Sequence, residues 1–300
     1  MDLFATLKRR GILGSAYKFF ARICPNDIQV RSACDRIGAY RYLKRYEYVL
    51  GQKQAPCVAK KQLEGETPIW ICWLQGYEVA PPIVKRCRES IYRYASEYLI
   101  IEISNDNLEE YITIPEHIRK KHDSGIIPHA HYSDWVRISL LAAYGGIWID
   151  STMMLTGTLP EYINGHELFC NKVREIGKLT SGNSLIAAPS KHQIILQMKS
   201  LLEEYWGKEN RLISYSIFHL FWTLVVSYNG ENKRLWESVP TIYGNNYLLL
   251  LDELFTPYTE RRMQQIKSCS TIHKLTYKFT DSDAAKKGTF YEKIIRGEIQ

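Results

Sequence analysis

The chain has 300 residues, of which 45% are hydrophobic and 24% are charged, as is typical of a soluble globular protein. This length suffices for one sizeable α/β domain with a small appendage, and no apolar run reaches the about 18 residues that span a bilayer. The net charge of +7 is uneven, because residues 1–61 hold 13 Lys or Arg and 4 Asp or Glu, whereas the remainder holds 26 and 28. The basic excess therefore indicates a partner local to the N-terminal end.

The seven cysteines are dispersed and form no CxxC pair. A structural zinc site and a disulfide framework are therefore not expected, and a reducing compartment fits the composition best. The N-terminus also lacks the continuous apolar stretch and the small-residue cleavage site of a secretory signal. The predicted location is the cytoplasm.

Two basic segments rich in aromatic residues open the chain. Residues 1–23 carry apolar residues at helical spacing with Lys and Arg between them, and residues 35–50 repeat this character with several tyrosines. Such helices either lie on an anionic membrane surface or pack their apolar stripe on the rest of the protein. Alternating Arg and Tyr can also stack on nucleic acid, but no fold signature for that accompanies them, so no nucleic-acid partner is expected. We predict a mainly helical extension over residues 1–62 and the main domain over residues 63–300.

The main domain opens with a strand, a helix and a second strand. Residues 69–74 and 98–103 are short apolar runs typical of buried strands, and residues 83–95 between them follow the helical period. This order predicts a βαβ unit with parallel strands. A short basic helix is predicted over residues 115–121.

The segment Ser133–Thr152, SDWVRISLLAAYGGIWIDST, organises the rest of the chain. Apolar residues at three- and four-residue spacing predict a helix for which Ser133 is the N-cap. Gly145 and Gly146 end that helix, with Gly145 as a left-handed C-terminal residue. Residues 147–149 then predict a buried parallel strand.

Three charged side chains of this segment are expected to meet. A helix that feeds a parallel strand runs antiparallel to it, so the helix start and the strand end face one edge of the sheet. Asp134 and Arg137 share a helix face, and Asp150 follows the strand at the edge where open α/β sheets bind ligands. Two carboxylates and a guanidinium therefore converge on that edge.

Later elements complete the predicted domain. Residues 168–172 and 185–188 predict strands, with the polar loop Ser181–Ser184 before the second. Residues 190–206 predict an amphipathic helix. Residues 212–228 are nearly all apolar and predict a buried helix rather than a membrane span.

Several motifs resemble one family of enzymes. SDxxR at 133–137 and YGGIWID at 144–150 resemble the nucleotide-sugar glycosyltransferases with a GT-A fold and a DXD motif, closest to the bacterial capsular polysaccharide synthesis group (glycosyltransferase family 32-like). IWICWLQG at 69–76, HIRKK at 117–121 and IHKLTYK at 272–278 occur in the same order. The resemblance covers roughly residues 68–279 and implies an α/β fold of the GT-A type, with a Rossmann-like nucleotide-sugar-binding domain. It departs at Thr152, which stands where the family has the second acid of DXD.

The resemblance implies catalytic roles for Asp134, Arg137 and Asp150. Asp134 would hold sugar hydroxyls and Arg137 sugar or phosphate oxygens, although their spacing is also that of a surface ion pair. Asp150 would hold Mn²⁺ or Mg²⁺ on the diphosphate, directly or through water, or bind ribose. Thr152 would offer a hydroxyl to a metal-bound water; otherwise the ion is held weakly or cationic side chains replace it. The predicted metal ligands are Asp150, Thr152 and His273.

The resemblance also implies contacts to the nucleotide sugar. The aromatic residue at the end of the first strand either stacks on the base or belongs to the core, and the glycine three residues later lets the ligand approach the backbone. A late loop would bring two lysines to the leaving diphosphate. The predicted contacts are Trp73, Gln75, Gly76, Asn183, Lys274 and Lys278.

The function that the resemblance implies is transfer of a hexose from a nucleotide sugar, a UDP-sugar by preference, to a lipid-linked polysaccharide acceptor of the capsule or O-antigen type, with retention. A lipid-linked acceptor would place the protein peripherally on the inner face of the plasma membrane, through residues 1–50. The alternative is a protein that binds nucleotide sugars or glycans at the membrane surface without catalysis, because Thr152 has disabled the metal site.

Overall fold

The structure, a computed structural model, describes residues 28–54, 57–64, 67–175, 177–241 and 246–299. Those residues form a five-stranded sheet in the order β2-β1-β3-β6-β5 and a two-stranded sheet of β4 and β7. The strands are β1 (Pro68–Cys72), β2 (Leu99–Ile103), β3 (Gly145–Ile149), β4 (Met153–Leu155), β5 (Phe169–Glu175), β6 (Lys178–Pro189) and β7 (Ile272–Lys274). The α-helices are α1 (Ile28–Leu43), α2 (Pro82–Tyr94), α3 (Leu108–Tyr111), α4 (Glu116–Asp123), α5 (His129–Tyr144), α6 (Gln193–Lys208), α7 (Ile217–Ser227), α8 (Gly230–Ser238), α9 (Leu249–Asp252), α10 (Glu260–Cys269), α11 (Asp281–Ala284) and α12 (Phe290–Ile295). The predicted segment 1–23 lies outside the described residues.

The large sheet is mixed. Strand β1 pairs in parallel with β2 and with β3, whereas β6 pairs antiparallel with β3 and with β5. Helix α2 connects β1 to β2, so the predicted βαβ unit is confirmed, as is the α/β fold class. The carboxyl ends of β1, β2 and β3 lie at one edge, which is the edge where the sequence places its charged residues.

Both faces of the large sheet are covered. Within β1, Trp70 faces the side on which α5, α6 and α7 pack, whereas Ile69 and Ile71 face the side of α2 and the small sheet. All three side chains have no exposed surface. Because both faces of these parallel strands are buried, their sequences are continuous apolar runs and do not alternate between apolar and polar residues.

The junction of α5 and β3 has no connecting loop. Helix α5 begins at His129 with Pro128 as its N-cap, five residues before the predicted N-cap, so the N-cap role of Ser133 is wrong. Pro128 has an extended backbone and directly precedes the first turn. The sequence interpretation relied on the spacing of apolar residues and did not use this proline as a sign of the helix start. Gly145 has the predicted positive φ, +69°, but its ψ of −155° lies outside the left-handed helical region, and Gly146 follows with φ +96°.

Strand β6 is longer than predicted. The segment Ser181–Ser184, predicted as a loop, lies inside β6, where Ser181 pairs with Lys172 of β5. Thr180 and Ser181 are fully buried. Their strand partners are Val173 and Lys172, seven and nine residues earlier in β5, and local polarity does not reveal this pairing.

Residues 28–51 pack on the main domain. After α1, a 3-10 helix spans Lys44–Gly51, and Tyr42, Leu43 and Tyr46 are buried in the same core as α6 and α7. The basic residues Arg41, Lys44 and Arg45 are exposed there. The division of the chain at residue 62 stays a prediction.

Helix α7 is the most apolar helix of the domain. Its residues from Ile217 to Val226 are almost entirely buried, which confirms the predicted buried helix. Among the described residues, no helix is both long enough and apolar enough to cross a membrane.

Candidate functional site

One cavity of about 670 Å³ opens at the carboxyl ends of β1 and β3. Its walls come from the start of α5, from β6, from the region around the start of α7 and from the segment that begins with β7. Pockets of about 300–1,000 Å³ are the usual size for small-molecule sites. Nine of the predicted site residues line it: Trp73, Gln75, Asp134, Arg137, Asp150, Thr152, Asn183, Lys274 and Lys278.

A buried guanidinium joins the two carboxylates. Arg137 donates through Nη1 to Asp134 Oδ1, and its Nη2 lies 3.1 Å from Asp150 Oδ1. The side chains of Asp134 and Arg137 are 6% and 3% exposed, so they are not a surface ion pair. The guanidinium also lies 4.8 Å from the centre of the Trp148 ring. The structure thus brings together the three charged groups that the sequence predicts to meet.

The second oxygen of Asp150 is bound by a lysine from the C-terminal part of the chain. Lys274 Nζ donates to Asp150 Oδ2 at 2.6 Å and to Thr152 Oγ1 at 2.6 Å. Thr152 is positioned by a tight turn, in which the Met153 amide donates to the carbonyl of Asp150 at 2.8 Å. Burial raises the pKa of Asp150, but the charges of Lys274 and Arg137 outweigh it and hold the pKa below its ordinary value. Asp150 is therefore an ionised carboxylate between two cations.

Asn183 supports the same cluster from β6. Its Nδ2 donates to Asp134 Oδ1 at 3.0 Å. The amide of Asp150 donates to the carbonyl of Ser184 at 2.8 Å, which fixes the end of β3 beside this strand. The predicted contact between Asn183 and a sugar hydroxyl remains a prediction, but its position next to Asp134 suits that role.

Aromatic and basic side chains form the mouth of the cavity. The Trp73 ring packs edge-on against Tyr277, with centroids 5.3 Å apart, and Lys278 Nζ lies 5.8 Å from the centre of that tyrosine ring. Gln75 is exposed at the rim. Gly76 has φ +85° but does not line the cavity. Sequence reasoning missed Tyr277, although it belongs to the motif IHKLTYK.

His273 does not reach the cavity. It has no exposed surface, and its Nε2 is hydrogen-bonded to Thr156 Oγ1 at 2.9 Å. His273 and Lys274 are neighbours in β7, and consecutive side chains of a strand point to opposite faces. Because Lys274 faces Asp150, the histidine faces away, and the structure does not bring it to the other predicted metal ligands.

The residues present do not fit a divalent ion. Among the described residues, no three His, Cys, Asp or Glu side chains are grouped so that they could share one. Asp150 and Thr152 do lie together, but the ammonium of Lys274 binds an oxygen of each. At nucleotide sites Mg²⁺ takes one or two protein oxygens, with phosphates and water as its other ligands, and here the ammonium already binds both candidate oxygens.

A second wall of the cavity carries histidines and a tyrosine. His131, three residues before Asp134 in α5, packs edge-on against Tyr215 with ring centroids 5.3 Å apart. His219 Nδ1 lies 2.7 Å from the carbonyl of Ser181. Sequence reasoning missed His131, for which its position three residues from Asp134 on a helix was the available signal.

We expect the buried His273 to make the protein sensitive to acid. Burial, with a smaller contribution from Lys267, lowers the pKa of His273 from 6.5 to about 4. Between pH 6.5 and pH 4 the imidazole is protonated in the unfolded chain but neutral in the folded chain. The folded state therefore loses stability as the pH falls from 6.5 toward 4. The contribution is about 3 kcal/mol in the free energy of unfolding.

Urea denaturation of His273→Gln at several pH values measures this effect. The variant should lose less stability than the unmodified chain between pH 6.5 and 4.5, whereas His166→Gln, which alters an exposed histidine, should follow the unmodified chain. Equal pH dependence for all three proteins would contradict the assignment.

The chain is similar to several known proteins. A family model described as capsular polysaccharide synthesis protein matches residues 39–294. The O-glycosyltransferase PaGT of Phomopsis amygdali is 27% identical over 113 residues, and the match spans 34% of this chain but only 27% of that relative. Among solved structures, the PaToxG glycosyltransferase superposes with a TM-score of 0.39 and 11% identity, over 93% of this chain and 98% of the other. A transferase mutant superposes with a TM-score of 0.33 and 14% identity, over 63% of this chain and 94% of that one.

Proposed function

The chain belongs to the capsular polysaccharide synthesis protein family, and from this premise we propose that it is a glycosyltransferase. Its donor is a nucleotide sugar, a UDP-sugar by preference, and its acceptor is a lipid-linked polysaccharide intermediate. The similarity to an O-glycosyltransferase over part of the chain supports the transferase activity. The sheet edge at which the charged cluster lies supports a GT-A type of donor site.

The observation that carries the proposal is the pair of cations around Asp150. Arg137 and Lys274 approach different oxygens of this carboxylate at the end of β3, inside a cavity large enough for a nucleotide sugar. A diphosphate is a polyanion whose charge increases when it leaves the sugar. Positioned cations in a partly closed site stabilise that developing charge.

We assign the remaining contacts from this arrangement. The base stacks at the mouth near Trp73 and Tyr277, where aromatic faces are available. The diphosphate lies against Lys274 and the more exposed Lys278. The hexose then reaches Asp134, whose carboxylate is held by Arg137 and Asn183 and accepts hydrogen bonds from sugar hydroxyls.

The proposed reaction retains the anomeric configuration. The bond between the anomeric carbon and the diphosphate oxygen breaks, with its electron pair going to that oxygen. The acceptor oxygen bonds to the same face of the carbon, and its proton moves to the departing phosphate. Among the described residues that line the cavity, the carboxylates are Asp134 and Asp150, and both are paired with cations. This pairing favours direct same-face attack over a covalent intermediate on either carboxylate.

The acceptor is proposed to be presented at a membrane surface. Arg41, Lys44 and Arg45 are exposed near the end of α1, and residues 1–61 hold the basic excess of the chain. Basic residues attract a protein to anionic lipid head groups. Attraction to such a surface would bring the enzyme to a lipid-linked substrate at the cytoplasmic leaflet.

We expect Asp150→Asn to reduce donor turnover by about 10²–10³-fold, because the amide cannot hold both cations in place. The measurement is release of the nucleoside diphosphate from a panel of UDP- and GDP-sugars, with and without added Mn²⁺. Asp283→Asn is the matched control, since Asp283 also binds a lysine, Lys286 at 2.7 Å, but lies outside the cavity.

Turnover by the unmodified chain and the Asp283 variant, lost in the Asp150 variant, would support the proposal. Binding of a nucleotide sugar with no release of nucleoside diphosphate under any condition would instead identify a non-catalytic binding protein.

A further inference from the structure

The ammonium of Lys274 lies where a metal ion held by Asp150 and Thr152 would have to bind. The turn after β3 presents two oxygens, Asp150 Oδ2 and Thr152 Oγ1, to the cavity. Lys274 Nζ lies 2.6 Å from each. A divalent ion bound to both oxygens would have to displace this ammonium.

We propose that the enzyme works without a divalent metal and that Lys274 supplies the cation that a metal would supply. This inference rests on the proposed function, because it concerns how the same site holds a nucleoside diphosphate. It gives Lys274 a binding role for the β-phosphate.

The geometry leaves the lysine able to do this. An ammonium has three N–H donors, and the bonds to Asp150 and Thr152 use two of them. The Lys274 side chain is 25% exposed and lines the cavity, so the third donor can reach a phosphate oxygen. The hydrogen bonds to the turn hold the head group in position before the ligand arrives.

The residue at position 152 fits the same interpretation. Thr152 is 6% exposed, and its hydroxyl accepts from the ammonium without adding negative charge. An aspartate in its place would put a second carboxylate beside Asp150, and two neighbouring carboxylates favour a divalent cation. With threonine, one lysine and Arg137 suffice to neutralise the single carboxylate.

The charge of the whole cavity is consistent with an anionic ligand. Three basic side chains line it, Arg137, Lys274 and Lys278, against two acidic ones, Asp134 and Asp150. The excess is one positive charge before any ligand binds. A nucleoside diphosphate therefore meets an attractive potential with no added ion.

Calorimetric titration of the full chain with UDP tests the inference, first in EDTA and then with excess Mn²⁺. We expect the two dissociation constants to agree within about twofold, and Lys274→Met to weaken UDP binding by at least about tenfold. Binding of uridine, which has no phosphate, should be the same in the variant and in the unmodified chain. Lys199→Met is the matched control, because Lys199 is also partly buried and lies 2.7 Å from Glu203 outside the cavity.

The outcomes separate the two proposals. UDP binding, or release of UDP from a donor, that requires Mn²⁺ in the unmodified chain would overturn the metal-free mechanism and leave the transferase assignment intact. Unchanged UDP affinity in a folded Lys274→Met protein would overturn the role of the lysine. Absence of binding to UDP and to GDP under both conditions would overturn the proposed function and this inference with it.

Discussion

Arg137→Ala is expected to lower the free energy of unfolding by about 3–5 kcal/mol, because it leaves buried Asp134 without its cationic partner. The side chains of Arg137 and Asp134 are 3% and 6% exposed, so the carboxylate left behind is poorly hydrated. The same substitution removes a cation from Asp150, and donor turnover should fall below detection. Urea denaturation and release of nucleoside diphosphate measure the two effects.

Arg88→Ala is the matched control for stability. Arg88 binds Glu102 at 2.6 Å, but its side chain is 37% exposed, so its removal should cost about 0.2–1 kcal/mol. Arg137→Lys keeps the charge but loses the planar fork that reaches two carboxylates, and it should regain only part of the stability. An Arg137→Ala protein as stable as Arg88→Ala would show that the buried cluster does not support the fold.

Gly146→Ala is expected to destabilise the protein by about 2–6 kcal/mol, through backbone strain and overpacking together. Gly146 has φ +96°, and a β-carbon there would lie 2.3 Å from the carbonyl oxygen of Pro68. Strands β1 and β3 are neighbours at this point, so the contact is with backbone that cannot move aside. The measurement is the urea midpoint, with circular dichroism to detect chains that fail to fold.

Two other glycines separate the causes. Gly125 has φ +72° with nothing within 4 Å of a new β-carbon, so Gly125→Ala should show the strain alone, about 1–2 kcal/mol. Gly230, at the start of α8, has neither a positive φ nor a close neighbour, and Gly230→Ala should be neutral or stabilising by up to about 1 kcal/mol. Equal effects at all three positions would contradict the steric argument.

The elements with a strong local period were predictable from the sequence. Strands β1 and β2 and helix α2 lie within two residues of their predicted ends, because continuous apolar runs and a helical period are local signals. The meeting of Asp134, Arg137 and Asp150 was also predictable. It follows from the rule that a helix feeding a parallel strand returns its start to the end of that strand.

The elements that were not predicted from the sequence depend on pairing between residues that are distant in the chain. The small sheet of β4 and β7 joins residues more than 100 positions apart, and three-residue strands carry no periodic signal. The sequence interpretation therefore placed both residues in one loop at the site, His273 as a metal ligand and Lys274 as a cation for the diphosphate. Because successive side chains of a strand point to opposite faces, Lys274 in β7 faces the cavity and His273 faces the core.

The bond between Lys274 and Asp150 spans 124 residues of sequence. This lysine belongs to β7, which pairs with β4, so the second cation beside Asp150 depends on how the C-terminal part of the chain docks. If β7 detached from β4, Asp150 would keep Arg137 but lose Lys274. The charge balance of the cavity is therefore coupled to a tertiary contact that joins distant parts of the polypeptide.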